Sequence, residues 1–296
     1  MVALALGVLG LVLAGPGPLW VERWRFLHRV PRAAVVLWQA GAVAALVSVV
    51  GAGLAVAVPV AARGWGELDA LPLLELLLSA LLAVFTAVVV LRLGWSLVAV
   101  ARDTAARRRR HRAAVDLLGR VEESYSLPGL RVLAEQLPVA YCLPGLRGSR
   151  VVLSSGTLTA LGTEEVRAVV AHESAHVRAR HDLVLDTFTA LHRAFPIAVR
   201  SEIPAQQCRL LVEMLADDAA RRLTGAVPLA RALVTLAGAP TPAGTLGAGG
   251  SGTAERIARL AEPARPHRLL STAVYLLACG LVVFPVLIML TPRVLG

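Results

Sequence analysis

Residues 166–182 read VRAVVAHESAHVRARHD, and this stretch decides how the rest of the chain is understood. It holds His172, Glu173 and His176 in the spacing HExxH. Thr163 stands ahead of it as an N-cap, with Glu164 and Glu165 in the first turn, so the pattern predicts a helix from Thr163 to about Arg180. On such a helix the two histidines, four residues apart, share one face, and both imidazoles can reach one ion. Glu173 lies about 100° round the helix from His172, where it can hold the attacking water instead of the metal. Neutral imidazoles bind zinc and leave it a strong Lewis acid, while the carboxylate takes a proton.

Zinc needs a third protein donor and an open fourth position. The candidate is Glu213, in LVEMLADDAARR (211–222), 37 residues beyond His176. Asp217, four residues on, shares its helix face and is placed to orient a ligating histidine. Asp218 is offset by about 100° and is the weaker choice for that role. A competing arrangement would use Asp182, ten residues after His172, but Ala179 stands where the necessary turn would want Gly. Asp182 is therefore read as closing or capping the helix, and His181 is one residue out of register for a ligand. His111, His192 and His267 have no spacing that recruits them.

Around these segments, residues 105–265 have the composition of a water-soluble domain. VAYCL (139–143) and RVVLS (150–154) read as short strands joined through Pro144, Gly145 and Gly148, and 150–154 is a candidate edge strand for an extended peptide. Residues 104–124, 183–194, 206–223 and 254–261 read as helices. The Gly- and Pro-rich stretch 237–253 reads as a mobile loop and a candidate gate.

Further out the chain changes character. Of its 296 residues 56% are hydrophobic, and the mean hydropathy is +0.68. The apolar excess lies in runs at about 2–21, 33–62, 70–91 and 269–291, each long enough to span a bilayer, which takes about 20 residues. The first run lacks a preceding positive charge and is read as a retained helix, not a cleaved leader. Glu75, near the start of the third run, is read as interfacial.

The net charge of +10 sorts with these runs. Residues 113–264 hold 15 Arg and 15 acids, which cancel, and the excess flanks the apolar segments. Arg23, Arg25, Arg29 and Arg32 follow the first run. Only Arg63 follows the second, opposed by Glu67 and Asp69. Arg102, Arg107–Arg110 and Arg112 follow the third, and Arg265 and Arg268 precede the fourth. The positive-inside rule then places both termini outside and residues 105–265 in the cytoplasm. The Arg107–Arg112 block reads as a topology anchor against anionic lipid, and direct nucleic-acid binding is not expected. Three dispersed cysteines suggest no disulfide framework.

The expected fold is thus a mainly α membrane protein. Residues 1–104 supply three spans, 105–265 an α+β zincin-like (gluzincin) domain with one Zn²⁺, and 266–296 a fourth span with a short external tail. This order, with VRAVVAHESAHVRARHD and LVEMLADDAARR, resembles the BlaR/MecR-type integral-membrane metallopeptidases over essentially the whole chain. The resemblance implies zinc ligands at His172, His176 and Glu213, an acid/base at Glu173, and a cytoplasmic protein substrate such as a repressor of the BlaI/MecI kind. Sensors of that family continue into a penicillin-binding domain. This chain stops at Gly296 and contains no Lys for their Ser-x-x-Lys motif, so β-lactam sensing is not expected within it. HtpX-type quality-control peptidases share the HExxH-plus-Glu logic but place hydrophobic spans between the two. Here residues 182–212 carry Asp186, His192, Arg193, Arg200 and Glu202 and do not read as a span. A zinc-binding scaffold without catalysis is the remaining alternative, and the intact Glu173 speaks against it.

Overall fold

The computed structural model describes residues 1–63, 72–121, 129–145, 149–195, 202–237, 246–247, 252–263 and 265–294. Glu67, Asp69, Gly148, Arg200, Gly296 and most of the stretch 237–253 lie outside the described residues. The chain divides into two compact units, one of residues 1–98, 188–205 and 267–296, the other of 99–187 and 206–266.

The first unit is built from apolar helices. Helix α1 (Val2–Ala14) and α2 (Pro16–Glu22) together make one bent apolar element with a 46° break. Pro16 causes the break, because it has no N–H to continue the ladder and its ring crowds the preceding turn. After a 3₁₀ turn, α3 (Pro31–Ala61) packs against both α1 and α11 (Arg268–Val294). Small residues let the helices approach closely: a Cβ at Gly10 would come within 2.8 Å of Val49 on α3. Buried hydroxyls satisfy themselves locally, Ser48 Oγ donating to the Ala44 carbonyl at 2.7 Å. Among the described residues three helices, at Pro31–Ala61, Leu73–Leu118 and Arg268–Leu290, are long and apolar enough to cross a membrane, and the bent α1–α2 pair makes a fourth if it acts as one span. Glu75 is exposed and 3.4 Å from Arg63.

Helix α4 runs from Leu73 to Leu118, so the third apolar run and the helix expected at 104–124 are one element. The joining residues 92–103 hold Gly94 but no proline, the Ala- and Arg-rich residues after them are good helix formers, and the helix ends at Leu118, ahead of Gly119, short of the expected 124.

The second unit contains a five-stranded sheet of β1 (Arg120–Val121), β2 (Leu130–Leu133), β3 (Ala140–Leu143), β4 (Arg150–Ser154) and β5 (Leu246–Gly247). Their order is β1-β2-β4-β3-β5, and only the β2–β4 pair is parallel. The candidate edge strand 150–154 is therefore central, paired on both sides. Four of its five residues are buried, which is why it reads as an apolar run. Ser154 then caps α5 (Ser155–Ala160), its Oγ accepting from the Thr157 N–H at 3.0 Å.

Helix α6 (Thr163–Ala179) carries the HExxH residues, and its N-cap is Gly162, not Thr163. The Glu165 carboxylate accepts the Gly162 N–H at 2.9 Å, supplying from the third position the cap expected from threonine. Arg180, at φ 52°, ends the helix in the left-handed region, and α7 (His181–Ala194) follows at once. Helix α8 (Glu202–Thr224), from residue 206 onward, with α9 (Ala226–Leu236) and α10 (Thr253–Ala261), completes the unit. Helix α9 was not foreseen, although Leu229, Ala232, Leu233 and Leu236 repeat with helical spacing and are all buried. They join Val166 and Val169 of α6 and Leu153 of β4 in the main core.

The Arg107–Arg112 block does not lie wholly against lipid. Arg108 donates to Asp182 at 2.8 Å and lies 3.4 Å from Asp186, and Arg112 donates to the Pro144 carbonyl at 2.7 Å. His111 Nε2 lies 2.8 Å from the Tyr141 hydroxyl, and Val115 packs on Tyr141, Leu143 and Val152. Spacings of three and four residues put these groups on one face of α4, turned toward its own domain.

Helix α10 begins after Gly252, whose φ of +76° is left-handed and whose missing Cβ leaves room for Leu210. Gly252→Ala should cost about 1–3 kcal/mol, read as a lower thermal midpoint of the purified protein. An unchanged midpoint would show that this turn carries no strain.

Candidate metal centre

Helix α6 turns His172 and His176 onto one face, and α8 presents Glu213 and, one turn later, Asp217. His172, Glu173 and His176 are 0% exposed, Glu213 3% and Asp217 1%. One donor atom from each of His172, His176 and Glu213 falls within 4.8 Å of the others, a group able to hold a metal ion.

The edges of that triangle test the fit. The Nε2 atoms of His172 and His176 are 3.2 Å apart. His172 Nε2 lies 3.3 Å from Glu213 Oε2, and His176 Nε2 lies 3.4 Å from Oε1 of the same carboxylate. A tetrahedral shell with bonds of about 2.0–2.1 Å has edges of about 3.3 Å, so these separations suit zinc. Charge agrees with geometry: the buried carboxylates Glu173, Glu213 and Asp217 outnumber the one buried guanidinium beside them, Arg256, which favours a cation at the imidazoles.

The protonation equilibria show the same field. Burial disfavours a charged His172, but its contacts with Asp217 and Glu213 outweigh this and push it up to about 9. Glu213, although buried, is held well below the usual carboxylate range by His176, His172 and Arg256. Asp217 is lowered against its burial by the Arg256 and His172 hydrogen bonds. Glu173 is raised, with burial as the leading cause. An environment that retains a proton on His172 also attracts a metal cation to the same nitrogens.

Each of the two histidines has a neighbour on its far side. His172 Nδ1 lies 3.0 Å from Asp217 Oδ1, the position expected of a histidine-orienting carboxylate. His176 Nδ1 lies 3.0 Å from His181 Nδ1, with His181 buried at the start of α7. Asp182 is taken up by Arg108, and Asp218 by Arg259 at 2.7 Å, so neither enters the donor group. His192 lies 3.9 Å from Glu202 in the other unit.

Three residues at the site escaped the sequence reading. His181 is out of register for a ligand, but a residue behind His176 needs no ligand spacing. Cys142 on β3 is fully buried and donates its thiol to Glu173, and burial pushes that thiol well up. Arg256 reaches both Asp217 and Glu213. Its only sequence signal is the spacing of Arg256 and Arg259 opposite the adjacent acids Asp217 and Asp218.

Residues 102–210 match the model of Peptidase family M48, a zinc-dependent family. The matched stretch contains the HExxH helix and ends just before Glu213. No curated protein and no solved structure matches the chain. That match, met by a His-His-Glu donor group compatible with a zinc site, marks the chain as a zinc metallopeptidase with apolar helices suited to a membrane.

Proposed function

We propose that this chain is an integral-membrane zinc endopeptidase that cuts a protein substrate on the cytoplasmic side of the bilayer. The observation that carries the reading is the closed triangle of His172, His176 and Glu213 donors with Glu173 buried on the adjacent face of the same helix. Those three residues would hold one zinc ion per chain. Zinc supplies Lewis acidity toward water and the scissile carbonyl. Glu173 accepts the proton of the attacking water and returns it to the leaving amine, and its raised affinity for protons suits it to both steps. Asp217 Oδ1, 3.0 Å from His172 Nδ1, is placed to accept its N–H, which would fix the tautomer that leaves Nε2 free to bind metal.

The cytoplasmic assignment is supported by the arginines flanking the four apolar runs, with both termini outside. The substrate reading rests on the BlaR/MecR-type resemblance and favours one or a few regulatory proteins, a BlaI/MecI-like repressor among them, cut in signal-regulated proteolysis. The test compares protein termini in cells with the parent enzyme and with Glu173→Gln. One or a few new termini that vanish in the variant are expected. Scattered termini from unrelated membrane proteins would favour HtpX-like quality control. Identical termini in both strains would leave a zinc-binding scaffold and sink the peptidase assignment.

A further inference from the structure

Arg256 is 0% exposed and is the bulkiest fully buried side chain among the described residues. Its Nε donates to Asp217 Oδ2 at 2.7 Å and its Nη2 to Asp217 Oδ1 at 2.7 Å. Its Nη1 lies 2.9 Å from Glu213 Oε2. A planar cation with a rigid fork can meet one carboxylate with two bonds and a second with its remaining edge, and an ammonium cannot.

We propose that Arg256 is a positioning residue of the metal centre, and that helix α10 is thereby a part of it although it supplies no ligand. The inference rests on the zinc reading above. Glu213 and Asp217 sit one turn apart on α8 and both are buried, and the guanidinium lies between them, within 2.7 Å of one carboxylate and 2.9 Å of the other. Arg256 thereby fixes where both carboxylates point. One of them then orients His172 at 3.0 Å, and the other keeps its oxygens 3.3 and 3.4 Å from the two imidazole nitrogens. Remote as it is in sequence, the guanidinium sets the rotamers of a ligand and of the group behind another ligand.

Helix α10 does not depend on Arg256 alone for its place. Arg259 makes two bonds to Asp218, at 2.7 and 2.9 Å, and Arg221 donates to the Glu262 carbonyl at 2.8 Å. Leu260 lies in the main core with Leu229, Leu233 and Leu236. The role of Arg256 in the site can therefore be separated from the docking of its helix.

The test uses the full chain in detergent. Zinc affinity is measured by competition with a chromophoric chelator, and cobalt(II) substitution reports ligand geometry through its visible spectrum. Arg256→Gln should weaken zinc about 10- to 100-fold and shift the cobalt spectrum while helical circular dichroism is kept. Arg256→Lys, which keeps the charge and loses the fork, should fall between Gln and the parent and serves in its place if Gln does not fold. Arg259→Gln, which removes only the outer pair, should bind zinc like the parent. Parent-like affinity and spectrum in the Arg256 variants would overturn the inference, as would an equal loss in Arg259→Gln. A parent protein that binds no zinc would instead overturn the metal reading itself, so the two failures are distinct.

Discussion

Glu173→Gln is expected to slow peptide-bond hydrolysis by about 10²–10⁴-fold, the usual contribution of a positioned acid/base, while zinc stays at one per chain. The amide matches the carboxylate in size, so the packing around a fully buried side chain is kept. It cannot accept a proton. Glu173 is absent from the donor triangle, so metal content has no reason to fall. The experiment measures initial rates on an unfolded protein substrate together with zinc by atomic absorption. A rate within tenfold of the parent would remove Glu173 from the chemistry, and loss of zinc would show that it belongs with the ligands instead.

Glu213→Ala should have a larger and different effect. It removes one of three donors and leaves Arg256 with a single carboxylate partner in a buried pocket. Zinc is expected to be lost at micromolar concentrations, and activity with it. A ligand that binds only the folded state stabilises it by about 2.7 kcal/mol at a hundred times its dissociation constant, so the parent should melt higher with zinc than after chelation. The variant should show no zinc-dependent shift. A shift of equal size in both proteins would mean that the ion sits elsewhere.

The parts of this site that were legible from the sequence share one property: their spacing is a helical period. His172, Glu173 and His176 follow from one turn of helix, and Glu213 and Asp217 from another. The apolar runs themselves were readable for a similar reason, since a bilayer imposes a length on an uncharged segment, but the end of the third was not, because its helix continues to Leu118. What was not legible depends on elements meeting across long sequence separations. The central position of β4 requires β2, whose four residues alternate too little to stand out. The inward face of the arginine block requires Asp182, seventy-four residues beyond Arg108. Arg256 in isolation is one arginine on an amphipathic surface helix, and only its approach to Asp217 gives it a role. Helix α9 was overlooked for a different reason: its periodic leucines were visible, but the signal that begins it is Gly225 at φ 86°, and a backbone angle is not written in the residue pattern.

The order in which the donors appear along the polypeptide has a consequence for synthesis. Both imidazoles are present once residue 176 has been made, but the third donor comes only at 213. A chain still attached to the ribosome thus passes through a long interval with two-thirds of its metal shell and no complete one. On the proposed ligand set, a molecule that ends before residue 213 is expected to hold zinc poorly and to leave the proteins around it uncut.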